Sequence, residues 1–161
     1  GDAGIIWIFL TILLLILPKM RKYGLAMLVG LCIDVIVCNG LLKNLVARTR
    51  PCDVNTAIQL LISHPTDYSF PSGHTAASFT AVAALYFSGD KKIWKAAIVL
   101  GILIAFSRMY LYVHYPTDIL GGALIGIFSG FVGAKIVCYI MKKRMYAVWE
   151  VHYAESECIV I

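Results

Sequence analysis

Long apolar runs separated by short polar turns constrain this chain more than any other feature. A helix satisfies its own backbone hydrogen bonds, so about 20 apolar residues can cross a lipid core where an open-edged strand cannot. The runs lie at residues 4–17, 24–45, 72–88, 93–113 and 117–141. Charged residues make up 14% of the 161-residue chain, where a soluble domain carries about a quarter. The expected fold is all-α, a polytopic transmembrane helical bundle with five visible spans. Residues 1–144 read as one transmembrane domain and 145–161 as a cytoplasmic tail. The first run does not read as a convincing signal peptide, because Asp2 stands where a positive region belongs and no small-residue cleavage site follows. Residues 52–70 read as a mixed polar loop with a short interfacial helix near Thr56–Ser63. Pro51 is expected to stop the second span.

Basic residues then orient the bundle. With alternating spans, the loops at 18–23, 88–95 and 142–144 share one side. They hold nine of the fourteen basic residues, so that side is cytoplasmic. Lys135, late in the last span, can snorkel to the same side. The other four, Lys43, Arg48, Arg50 and Arg108, fall on the opposite side, against the orienting bias. They share it with His74, His114 and Asp118. The net charge of +5 therefore reflects orientation, and a nucleic-acid partner is not expected. The five cysteines form neither a disulfide framework nor a zinc-ligand spacing.

The four exceptional cations sit near a helix mouth. Pro71-Ser72-Gly73-His74 heads the third run, and no acidic residue reads as part of that mouth. Ser72 is a good N-cap, and Gly73 lets a ligand approach the backbone. The free N–H groups of the first turn and the helix dipole suit an anion. Lys43 and Arg50 are seven apart, which on a helix returns both to one face. Ser107 and His114 have the same spacing. Pro116 ends the fourth span, and Asp118 opens the next with Thr117 as a cap. Two guanidinium forks, an ammonium and a helix N-terminus would neutralise a dianionic phosphate. A histidine held by an aspartate can be a nucleophile. A second histidine, with an ordinary pKa of about 6.5, can protonate a leaving oxygen. Such a site needs no metal, since fixed cations stabilise the phosphoryl oxygens.

Three stretches now resemble a known family: Lys43 through Arg50-Pro51, Pro71-Ser72-Gly73-His74, and Ser107-Arg108 through His114 to Asp118. Together they look like the three signature motifs of the type 2 phosphatidic acid phosphatases, which share a core with acid phosphatases and vanadium haloperoxidases. The resemblance implies that His114 is the nucleophile and forms a phosphohistidine, and that Asp118 orients it. It implies that His74 is the general acid and base, and that Lys43, Arg50, Ser72, Gly73 and Arg108 bind phosphate without metal or other cofactor. Members usually have six spans, so a further N-terminal span is expected before residue 5. Undecaprenyl diphosphate is the favoured substrate by analogy. Phosphatidic acid and phosphatidylglycerophosphate are the alternatives. A lipid-phosphate binder or translocator without hydrolysis is the rival class, and a haloperoxidase a third. The site is expected on the outer side of a cell membrane. No oligomeric state is indicated.

Other residues receive plainer readings. Arg48 reads as a lipid headgroup contact or surface charge, Ser107 as packing and His64 as a loop residue. Asp34, about 13 Å from Lys43 along a helix, reads as structural. Tyr110, Tyr112 and Tyr115 suit a lipid entrance or an interfacial belt. Trp149, Val151 and Tyr153 suit the cytoplasmic interface. Cys158-Ile159-Val160-Ile161 matches a prenylation pattern, but a chain that already spans the membrane gains little from a lipid.

Overall fold

The computed structural model describes residues 3–157, with side chains described for residues 4–145. The described residues are helical or irregular, without strands. Helix α1 (Ala3–Ile16) is followed by a 3-10 turn at Pro18–Met20 and by α2 (Arg21–Asp34). α2 continues without a break through a π-helical stretch, Val35–Leu42, into α3 (Lys43–Val46). α4 (Pro51–Val54) is one turn. α5 (Gly73–Phe87), α6 (Ile93–Tyr110) and α7 (Pro116–Glu157) complete the bundle.

The five expected spans are α1, the α2–α3 rod, α5, α6 and α7. Three described segments are long and apolar enough to cross a membrane: Pro18–Val54, Ile93–Tyr110 and Pro116–Met145. α1 and α5, at 14 and 15 residues, reach only about 22 Å, short of a lipid core of about 30 Å. Outward-facing Phe9, Ile102, Phe106, Leu124 and Phe128 are all more than half exposed. That is the inverse of a soluble surface and suits a lipid environment. Inside, Trp7, Met27 and Leu85 are at most 1% exposed. The Trp7 indole N–H donates to Ser78 Oγ at 2.9 Å, and Ser78 Oγ donates to the His74 carbonyl at 2.7 Å. α1 is thereby tied to the first turn of α5.

The decisive packing is α5 against α7. A Cβ on Gly122 would lie 2.6 Å from the Ser72 carbonyl oxygen. On Gly126 it would lie 2.3 Å from that of Ala76, and on Gly130 2.4 Å from that of Thr80. These glycines recur every four residues and so line one face of α7. Their missing side chains let the two backbones touch, as small residues do between membrane helices. Gly133 extends the contact to α2, where a Cβ would lie 2.6 Å from the Gly30 nitrogen. Small residues on α5 complete the fit: Ala76, Ser78, Thr80, Ala81 and Ala84 are fully buried.

Several sequence expectations need correction. Pro51 does not stop the second span. The rod ends at Ala47, whose left-handed φ of 46° closes it, and Pro51 instead opens α4. No helix forms at Thr56–Ser63. The stretch leaves much of its apolar surface unburied: Ile58 is 40% and Leu61 79% exposed. α6 ends at Tyr110, three residues early, because Tyr112 turns back with φ 58°. Thr117 does not cap α7: Pro116 is already its first residue. The tail continues α7 as helix to Glu157. Trp149, Val151 and Tyr153 have no described side chains, and Cys158–Ile161 lie outside the described residues.

The glycine contact gives a direct test. Gly126→Ala should destabilise the protein by about 1–3 kcal/mol, the usual cost of overpacking. Gly40→Ala, whose Cβ would meet only the Val35 oxygen at 3.8 Å, should be close to neutral. Thermal unfolding in one detergent compares the two. Equal melting temperatures would contradict the packing.

Candidate active site

The ends of α3, α5, α6 and α7 meet at one end of the bundle. The Ser72 N–H donates to the Asp118 carbonyl at 3.1 Å, joining the start of α5 to the start of α7. A cavity of about 1260 Å³ opens beside this join. Lys43, Arg50, Gly73, His74, Arg108 and His114 line it. Six of the eight expected site residues therefore line one cavity. Ser72 and Asp118, both fully buried, stand behind it.

Lys43 and Arg50 do not meet by helical spacing. The helix has ended before Arg50, whose backbone is extended (φ −75°, ψ 154°). They meet on a third residue, Asp67. One carboxylate oxygen of Asp67 accepts from Lys43 Nζ, and the other accepts from Arg50 Nη2 at 2.6 Å. Arg50 Nε also donates to the Asp67 carbonyl at 2.8 Å, and Nη1 to the Val113 carbonyl at 2.8 Å. Burial would raise the Asp67 carboxyl, but hydrogen bonds from Lys43 and Arg50, with their charges, outweigh it and hold the carboxyl at about 2.

His114 sits in the turn between α6 and α7, 5% exposed. Arg50 Nη1 lies 3.2 Å from its Nε2. A guanidinium only donates, so Nε2 is the acceptor and the ring proton belongs on Nδ1. Nδ1 faces Asp118 Oδ2 at 3.6 Å. That is ion-pair range rather than a hydrogen bond, and Nδ1 is buried with no hydrogen-bond partner. Catalytic hydrogen bonds are often loose before a ligand binds. Burial, then the Arg50 charge, pushes the imidazole well below its ordinary value, with Asp118 pulling the other way.

Asp118 is fixed from several sides. Its Oδ2 accepts from Ser69 Oγ at 2.5 Å and from the Tyr115 N–H at 2.8 Å. Its Oδ1 accepts from Arg48 Nη1 at 2.8 Å. The Tyr115 bond is half of a capping box, with the acid three residues into the helix bonding the N-cap amide. Arg48 also donates to Thr117 Oγ1 at 2.6 Å and stacks 4.0 Å above the Tyr115 ring. Its side chain is 37% exposed, so this surface charge is also a fixed partner of Asp118. Arg48 and Arg50, just past the helix end, both reach the segment 113–118.

Further placements depart from the sequence reading. Ser72 starts α5 as its N-cap but makes no side-chain cap bond. Its hydroxyl accepts instead from Thr75 Oγ1 at 3.0 Å. A Cβ on Gly73 would approach Asn39 Oδ1 to 3.2 Å and Lys43 Nζ to 3.8 Å, so glycine keeps that wall open. Arg108 Nε donates to Ser107 Oγ at 3.3 Å. Asp34 is 2% exposed and lines the cavity with Asn39, because the π-helical stretch borders it. His64 is not a lone loop residue: its Nε2 lies 2.8 Å from Asp53 Oδ1. Cys52 Sγ stands near that pair, with the ligand atoms of all three within 4.8 Å of one another.

The chain belongs to the PAP2 superfamily, whose sequence pattern matches residues 19–144. This is the family that the three motifs resemble. A protein of Sulfolobus acidocaldarius named undecaprenyl-diphosphatase is 35% identical over 131 residues, covering 81% of this chain and 63% of that one. The chain thus spans less than two thirds of that relative's length. The crystal structure of Aquifex aeolicus LpxE superposes with a TM-score of 0.68 at 32% identity, over 82% of this chain and 78% of that one. A transmembrane PAP2-type phosphatidylglycerolphosphate phosphatase from Bacillus subtilis superposes with a TM-score of 0.62 at 28% identity, over 86% of this chain and 68% of that one. The all-helical fold is shared with these transmembrane neighbours, and the chain is a membrane protein.

The electrostatics of His114 can be checked by NMR of labelled histidine. His114 should take up its proton below the ordinary value of about 6.5. Arg50→Ala should move that midpoint up, and Asp118→Asn should move it down. A midpoint at or above the ordinary value would contradict the buried, cation-facing ring.

Proposed function

We propose that this chain acts as an integral membrane lipid-phosphate phosphatase through a phosphohistidine intermediate on His114. The observation that carries the proposal is the Arg50 contact on His114 Nε2 at 3.2 Å. It supports a lone pair on Nε2, on the wall shared with Lys43, Gly73, His74 and Arg108.

The chemistry follows in two displacements. A phosphate entering the cavity takes hydrogen bonds from Arg50, Lys43 and Arg108, which releases Nε2 from Arg50. Nε2 attacks the terminal phosphorus, forming a P–N bond as its P–O bond to the leaving group breaks, a lipid alkoxide from a monophosphate or a lipid phosphate from a diphosphate. His74 gives its proton to the leaving oxygen. Asp118, behind the ring, favours the positive imidazole that forms. Water then attacks phosphorus while His74 takes its proton, the P–N bond breaks, and inorganic phosphate leaves. Cationic donors arranged before reaction supply the charge stabilisation, so no metal is required. Ser72 acts through the backbone, holding the start of α5 on Asp118, and Gly73 by leaving room for the phosphate.

The placement of the site supports an outward-facing reaction. Lys43, Gly73, Arg108 and Asp118 belong to the bundle end opposite the basic loops at 18–23 and 88–95. By the positive-inside rule those loops are cytoplasmic. The head group thus meets the site on the extracytoplasmic side of the membrane, with the lipid tail left in the bilayer. Undecaprenyl diphosphate is the favoured substrate, with phosphatidic acid and phosphatidylglycerophosphate as alternatives. The name of the Sulfolobus acidocaldarius relative supports that preference.

Purified protein in detergent should release phosphate from a panel of lipid phosphates in the presence of EDTA, with undecaprenyl diphosphate turned over fastest. A different order would change the substrate and leave the mechanism standing. A requirement for added divalent cation would contradict the metal-free site. His74→Ala should lower kcat by about 10²–10⁴-fold, the usual contribution of a positioned acid. Full activity without His74 would remove it from the mechanism. Arg48→Ala takes a charged hydrogen bond of about 1.5–3 kcal/mol from Asp118. It should lower kcat at least about tenfold with little change in KM. A change in KM alone would place Arg48 at the lipid headgroup instead.

A further inference from the structure

We propose that Asp67 is a resident anion in the phosphate subsite, displaced by the substrate's phosphate, and that it sets how tightly the site holds phosphate. The inference rests on the lipid-phosphatase reading for the substrate, but its geometry stands alone. The Asp67 carboxylate bridges Lys43 Nζ and Arg50 Nη2, the second contact being 2.6 Å. These are two of the three cations on the cavity wall expected to bind phosphate. A carboxylate presents two oxygens to such donors much as one edge of a phosphate does.

Exposure separates the anchor from the occupant. The Lys43 and Arg50 side chains are 11% and 4% exposed, whereas that of Asp67 is 51% exposed. The cations are therefore built into the wall, and the anion reaches them from the open side. Asp67 belongs to the stretch 55–72, which has no regular helix, so its side chain can swing outward without breaking a helix. Arg50 keeps its bonds to the Asp67 and Val113 carbonyls when the carboxylate leaves. Only the bonds that a phosphate would replace are given up.

A phosphate dianion and the Asp67 carboxylate cannot share the same two donors, because like charges at contact repel strongly. Binding must move Asp67 out, and the measured affinity is reduced by the fraction of sites that Asp67 holds. The same competition speeds product release, since Asp67 returns as inorganic phosphate departs. This differs from a strut. A strut that merely positioned Lys43 and Arg50 would strengthen phosphate binding, and its loss would weaken it.

The test is binding of inorganic phosphate, and of orthovanadate as its analogue, to the full chain in detergent. Wild type is compared with Asp67→Asn and Asp67→Ala, with lipid-phosphate turnover followed in parallel. Asp67→Asn keeps the shape and removes the charge, and an unchanged melting profile shows that it folds. Both variants should bind phosphate at least about tenfold more tightly, equivalent to about 1.4 kcal/mol. KM should fall, and kcat should fall too where product release limits it. Weaker or unchanged phosphate binding in Asp67→Asn would overturn the proposal. So would undetectable binding in all three proteins, since the vacated cations should then take phosphate. Tighter phosphate binding without turnover of any lipid phosphate would leave Asp67 as the resident anion and reject the phosphatase reading instead.

Discussion

The backbone contact between α5 and α7 is the constraint on which the rest depends. Gly122, Gly126 and Gly130 remove every Cβ that would hold the two helices apart. The same register brings the Ser72 N–H onto the Asp118 carbonyl at 3.1 Å. Two stretches 46 residues apart, the start of α5 and the start of α7, thereby become one structural unit. Any side chain along that seam would shift the helix carrying His74 relative to the turn carrying His114. Packing in the middle of the bundle therefore governs the geometry at its end.

At that end, fixed charge and movable charge are kept apart. Asp118 is wholly buried among Ser69, Tyr115 and Arg48. Its role is to hold position, and Arg48 with its stack on Tyr115 is part of the mounting. Arg50 is the joint between the two sets. It touches His114 and the Val113 carbonyl through Nη1, and the Asp67 carboxylate through Nη2. A ligand that changes one of these contacts alters the others, since one planar guanidinium serves them all. The His114 Nε2 lone pair and the Asp67 carboxylate contact are thus coupled through a single side chain.

Much of this was legible in the sequence, for definite reasons. Apolar runs name membrane helices because a lipid core leaves the backbone few other choices. Motif residues come together because Lys43, Gly73, His74, Arg108 and His114 lie at helix ends on one side. What was not legible concerned irregular backbone. Helical spacing does not relate Lys43 to Arg50, because the helix ends at Ala47. Asp67 carries no motif signal at the helix mouth, because it precedes the motif by four residues within a loop that has no periodicity. An acid beside unpaired basic residues was the available clue. Arg48 gives no local signal of its partner, because Asp118 is 70 residues away.

The central claim is covalent chemistry at His114, and trapping the intermediate tests it most directly. Protein mixed with a lipid substrate labelled in the scissile phosphate should be denatured within one turnover and digested. A label on the peptide containing His114, stable in alkali and lost in acid as a P–N bond requires, is the expected result. The label should be absent from His114→Ala. Phosphate release by wild type with no protein-bound label, or a label on any other residue, would contradict it.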